Sequence, residues 1–128
     1  MHIKIYYEDT DCGGVVYYAN YLKYFERART ECLAAKGISV ADHAAQGTQF
    51  VVIHAEAHYR APARYGETLR IETLVTMPSR ARLTFQHRIF GSASDRPIVE
   101  GQATLVPTDA AGRPKRLEPG FVQQLLGT

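Results

Sequence analysis

The run Tyr6-Tyr7-Glu8-Asp9-Thr10-Asp11-Cys12-Gly13-Gly14-Val15-Val16-Tyr17-Tyr18-Ala19-Asn20-Tyr21 decides how this chain is read. It places the carboxylates of Asp9 and Asp11 just before a Gly-Gly turn, and an amphipathic helix pattern follows within a few residues. The first N–H groups of a helix have no acceptor inside the helix. A carboxylate held in front of them makes a reactive pair. The amides polarise a carbonyl, and the carboxylate attacks that carbonyl or activates water. Asp11 is therefore the first catalytic candidate, although an Asp before Gly-Gly is also an ordinary turn former.

Working outward, Ile3 to Tyr7 alternates like a short strand, and Gly13 and Gly14 are free to adopt positive φ. The helical pattern is expected from Val16 to Lys36. Tyr21, Phe25, Ala28 and Cys32 share a stripe, Leu22, Arg29 and Leu33 lie alongside, and Gly37 is placed to cap the end. One helical turn is expected over Val40–Ala45. Beyond it the period changes to two, with Val51, Ile53, Ala55, Ala57 and Tyr59 on one face and Val52, His54, Glu56, His58 and Arg60 on the other. Further strands are expected at Leu69–Met77, around Leu83–Ile89 and at Ile98–Val106, with turns at Pro78-Ser79-Arg80 and Gly91–Pro97. A short helix is expected over Pro119–Leu126. Strand, long helix, then four strands on tight connections describes an α+β fold: an antiparallel sheet of about five strands that hides its apolar face against one helix.

The 128 residues suit one domain, 1–128, and the formal charge of +2 gives no reason to expect nucleic acid. Cys12 and Cys32 form neither a disulfide framework nor a metal spacing. The absence of a leader or a long apolar run points to the cytoplasm, with no integral membrane segment. His54 and His58, four apart on a strand, lie about 13 Å apart, too far for one metal ion. His87, among apolar neighbours, reads as a satisfied core histidine. Cys12 has no clear His or Asn partner to make it a nucleophile.

The segment from Tyr6 through Arg29, with Asp-Thr-Asp-x-Gly-Gly-Val-Val-Tyr and Phe-Glu-Arg-Ala-Arg-Thr-Glu, closely resembles the hotdog-fold acyl-CoA thioesterases. It looks like the 4-hydroxybenzoyl-CoA thioesterase type and its Tol–Pal-associated branch. Weaker similarity runs through Tyr59-Arg60-Ala61-Pro62-Ala63-Arg64 to the end. The resemblance implies a curved sheet around a central helix, with Asp11 as the chemical carboxylate and no cofactor beyond the coenzyme A of the substrate. Where Tol–Pal-associated members often carry His this chain has Tyr18, so the resemblance assigns oxyanion binding to the Tyr18 backbone N–H. Tyr7 would hydrogen-bond Asp11 or line the acyl pocket. Gly14, Val16 and Tyr17 would touch substrate, and Thr48 and Phe50 would reach it from a second subunit of a homodimer or homotetramer. Ser79, Arg80 and Arg82, with Arg116 on a second basic loop, would meet the nucleotide phosphates. Asp9 is expected to be structural; Glu26 and Arg29, three apart on the helix, could pair with each other and look structural in the motif.

The expected reaction is hydrolysis of an acyl- or aroyl-CoA thioester to a carboxylate and CoA, with Asp11 as nucleophile or general base. Two alternatives remain beside it: an acyl-carrier-protein thioesterase, and a non-catalytic acyl-CoA-binding protein.

Overall fold

The computed structural model describes residues 1–126; positions 127–128 of the expected 1–128 domain lie outside the described residues. The chain runs β1 (His2–Lys4), a 3-10 turn (Tyr7–Asp9), α1 (Asn20–Ala34), α2 (Val40–Ala45), β2 (Gln49–Tyr59), β3 (Thr68–Ser79), β4 (Arg82–Gly91), β5 (Pro97–Thr108) and α3 (Pro119–Leu126). The strands form one antiparallel sheet in the order β1-β3-β4-β5-β2. Strands β1 and β2 are thus the edges.

Helix α1 covers one face of this sheet because its apolar residues recur at helical spacing. Tyr21, Tyr24, Phe25, Ala28 and Leu33 are buried, whereas Leu22 of the expected flank is exposed. The Phe25 ring fixes the crossing. It stacks on His87 at 4.7 Å between centroids and lies over Gly101, where an added Cβ would come within 2.3 Å of it. Gly37, at φ 77°, ends the helix as expected, and the Ile38 N–H reaches back to the Leu33 carbonyl at 2.9 Å.

The core divides along the sheet. Ile5, Val16, Tyr21, Tyr24, Leu69 and Ile98 belong to a cluster at one end; Leu33, Ile38, Phe85, Leu105, Phe121 and Leu125 belong to a cluster at the other.

Four expectations shift. The first strand stops at Lys4 because Asp9 draws the chain into a turn, its carboxylate accepting the Tyr6 N–H at 2.8 Å. The helix does not begin at Val16, whose N–H donates to the Ala63 carbonyl at 2.8 Å and which bridges Thr10. Strand β3 runs through Pro78 to Ser79, leaving Arg80 and Ala81 as the turn. The alternation along β2 changes phase at a bulge between Val52 and His54. Phe50 and Val52 face the helix before it, Ala57 packs into the core after it, and Ile53 is the extra residue.

Candidate active site

Asp11 sits on a tight hairpin that the backbone closes on itself. Its N–H donates to the Val15 carbonyl at 2.9 Å, and its carbonyl accepts the Gly14 N–H at 3.1 Å. Gly14 alone of the Gly pair takes a positive φ, 77°. Gly13 serves differently: its N–H donates to the Asp11 carboxylate at 2.8 Å, and a Cβ there would stand 3.2 Å from that same oxygen. The carboxylate is thereby oriented yet exposed, with its second oxygen free of partners among the described residues.

Asp9 fastens this hairpin to the helix start, in the structural role expected of it. One carboxylate oxygen holds the Tyr6 N–H, the other accepts the Asn20 side-chain amide at 3.0 Å, and the Asp9 carbonyl accepts the Tyr17 N–H at 2.9 Å. Beside it, burial pushes the Tyr24 hydroxyl up to about 12, with the negative charge of Asp9 adding to the effect.

The first helical turn then follows. Asn20, Tyr21 and Leu22 donate to the carbonyls of Tyr17, Tyr18 and Ala19 at 2.9, 3.4 and 3.2 Å. The N–H groups of Tyr18 and Ala19 precede these bonds and have no acceptor among the described residues.

Aromatic rings surround the junction. Tyr17 and Tyr18 lie 5.0 Å apart, and Tyr18 meets Tyr59 edge-on at 6.2 Å. Tyr7 makes no hydrogen bond to Asp11; it is exposed and packs edge-on against Tyr65 at 5.9 Å. Tyr59 was not singled out from the sequence, where it reads as one more strand aromatic.

The remaining candidates gather at the opposite end of the sheet. Thr48 accepts a hydrogen bond from the Lys115 ammonium at 2.8 Å, and Phe50 packs on Phe121 at 5.6 Å. The turn after Ser79 meets the second basic loop through the Leu117 N–H, which donates to the Arg80 carbonyl at 2.7 Å. The Arg80 guanidinium is turned inward and donates to the Leu117 carbonyl at 2.8 and 3.0 Å. Arg82 and Arg116 are exposed. Between α1 and β2 at this end lies a cavity of about 170 Å³, walled by Phe50, Val52, Leu83, Phe85 and Leu105, with Glu26 and Arg29 at its polar side. Glu26 and Arg29, which could have paired, form neither a hydrogen bond nor an ion pair with each other. Glu26 accepts the Thr30 hydroxyl at 3.3 Å, and burial lowers the Arg29 pKa.

His54 and His58 both bond Glu56, at 3.2 and 3.0 Å. His87 is only half satisfied. Its Nδ1 meets the Thr73 hydroxyl at 3.1 Å, while Nε2 is buried without a partner.

A five-stranded antiparallel sheet crossed by one helix is the fold of the hotdog thioester hydrolases. The comparisons agree. The family model described as "Thioesterase-like superfamily" matches residues 6–125, and the chain belongs to that family. It is 38% identical to the acyl-CoA thioester hydrolase YbgC of Escherichia coli O6:H1 over 91% of this chain and 84% of that one. Among solved structures, a DHNA-CoA thioesterase from Staphylococcus aureus superposes with a TM-score of 0.91 at 28% identity, covering 97% of this chain and 85% of that one. The Synechocystis 1,4-dihydroxy-2-naphthoyl-CoA thioesterase Slr0204 superposes at 0.92 with 21% identity over 99% and 94%, a likeness of fold.

Proposed function

We propose that the protein hydrolyses acyl- or aroyl-CoA thioesters to a free carboxylate and coenzyme A, in a site shared between two copies of the chain. One observation carries this reading: the candidate residues occupy opposite ends of an unpaired edge strand. Tyr59, at one end of β2, touches the Asp11–Tyr18 junction; Thr48 and Phe50 lie at the other end. The strand is 11 residues long, and Phe50 and Tyr59 stand roughly 30 Å apart along it. Antiparallel pairing of β2 with its copy, about a twofold axis near His54–Ala55, would set Phe50 of one chain beside Tyr59 of the other. Val51, Val52 and Ile53 are exposed on that edge at 42, 44 and 51%, the kind of surface a second strand covers.

In this reading the acyl group enters the cavity beneath β2 of one chain, and its thioester carbonyl meets Asp11 of the other. The Tyr18 N–H stabilises the charge developing on the carbonyl oxygen. The Asp11 carboxylate attacks the carbonyl carbon and the C–S bond breaks. CoA leaves as its thiolate, and water then hydrolyses the mixed anhydride; with Asp11 as general base, water attacks directly. Arg82 and Arg116 bind the nucleotide phosphates. The names borne by the Escherichia coli and Staphylococcus aureus relatives support a CoA thioester as substrate, and the latter supports an aromatic acyl group. A cytoplasmic location accords with this substrate.

The test is thiol release from aliphatic, benzoyl and hydroxybenzoyl CoA thioesters, comparing wild type with Asp11→Asn. We expect turnover in wild type and a loss of at least about 10²-fold in the variant at unchanged thermal stability. Equal rates would remove Asp11 from the chemistry. The basic end also suits an acidic carrier protein; faster turnover of the same acyl group on carrier protein than on CoA would favour that substrate.

A further inference from the structure

The thioester reaction places its demand on amides at the start of α1, and one side chain outside the Asp11 hairpin holds them. Tyr59, the last residue of β2, donates its hydroxyl to the Tyr18 carbonyl at 3.3 Å. Its ring is set by Tyr18 edge-on at 6.2 Å and by the buried Tyr21 at 5.8 Å. Among the described residues the Tyr18 carbonyl otherwise accepts only the long 3.4 Å bond from the Tyr21 N–H. In a planar trans peptide the carbonyl and the following N–H point in opposite directions. Anchoring the Tyr18 carbonyl therefore also aims the Ala19 N–H, which lacks an acceptor among the described residues. A hydrogen bond to the carbonyl also polarises the peptide and strengthens its N–H as a donor.

We infer that Tyr59 is a positioning residue of the thioester site: its hydroxyl orients the Tyr18–Ala19 peptide so that the Ala19 N–H joins that of Tyr18 as a second donor to the substrate carbonyl. This rests on the thioesterase reading above. Tyr59 acts through the peptide, and it couples the edge strand to the reacting end, because it belongs to the strand that a second copy would pair.

Tyr59→Phe keeps the ring and removes the hydroxyl. Its steady-state kinetics on the best CoA thioester, its melting temperature and its amide NMR spectrum are measured beside wild type. The expected result is a kcat lowered roughly 3–10-fold, the size of one lost hydrogen bond. KM stays within about twofold and Tm is unchanged, while the Ala19 amide proton moves upfield. Wild-type turnover with an unaltered kcat in Tyr59→Phe overturns the inference alone. So does a kcat loss accompanied by a falling Tm, which would mean a packing role, or an unmoved Ala19 amide. Absence of turnover in wild type overturns the thioesterase reading and this inference with it.

Discussion

The two ends of the sheet are built for different tasks. At the Asp11 end, a carboxylate and free amide donors lie on an open surface, with Tyr7 and Tyr18 exposed at 76 and 61%. At the Arg82 end there are an apolar cavity and exposed cations. Oxyanion donors act strongly only where water is excluded. If the site is shared as proposed, these are the two halves of it, and the edge strand β2 would join them when two chains pair.

The largest effect should come from breaking that junction. Ile53 is the extra residue of the bulge and is half exposed, so Ile53→Asp leaves the isolated fold intact and puts a charge on the pairing edge. The expected outcome is a monomer by sedimentation and a loss of turnover exceeding about 10²-fold. Retained activity in a proven monomer would show that one chain suffices. A sharper version mixes Asp11→Asn chains with Arg82→Glu/Arg116→Glu chains. If sites are shared, random pairing should restore one wild-type site in half of the dimers, roughly a quarter of full activity.

The middle of the sheet, between the two ends, carries its own pH dependence. Burial, with the nearby Arg29 charge, lowers the His87 pKa from 6.5 to about 4. The unfolded chain therefore takes up the proton first as pH falls. The titration of His87 takes nothing from stability above about pH 6.5, and stability is lost progressively between there and pH 4, by about 3 kcal/mol in all. Urea unfolding at pH 7 and pH 4.5 measures this, and His87→Leu should flatten the difference. A slope that persists in the variant would place the titration elsewhere.

The ends were not equally legible from sequence. Helix α3 and the short α2 fall where the pattern places them, and Gly37 stops α1, because local chemistry decides each of these. Asp11 stood out through its motif, and its geometry is local too, closing through Gly13 and Val15. What escaped was long range. Val16 reads as helical until Ala63 claims its N–H, and a single bulged residue reverses the faces of β2. Tyr59 gains its meaning only from Tyr18, forty-one residues away in sequence. Glu26 and Arg29 show the limit of spacing arguments, since a helix that sets two charges three residues apart does not oblige them to pair: Glu26 takes the Thr30 hydroxyl although both charges border one cavity.

The smallest effects distinguish arginines that look alike in sequence. Arg80 and Arg82 flank one turn, yet Arg80 spends both its hydrogen bonds on the Leu117 carbonyl while Arg82 is exposed. Arg82→Ala should raise KM for a CoA thioester about fivefold, the effect of one charge-assisted contact, with kcat and Tm unchanged. Arg80→Ala should instead cost about 1 kcal/mol of stability by freeing the 113–117 loop. Only through that loosening would Arg116 be disturbed, so any rise in KM should track the fall in Tm. Lys at position 80 separates charge from tether: it keeps the cation but cannot reproduce the forked grip on one carbonyl. If Arg80→Lys both melts and shifts KM as Arg80→Ala does, the residue is a brace for the basic end. If it rescues KM and Arg80→Ala loses it at full stability, Arg80 meets the phosphate, as the sequence resemblance had implied.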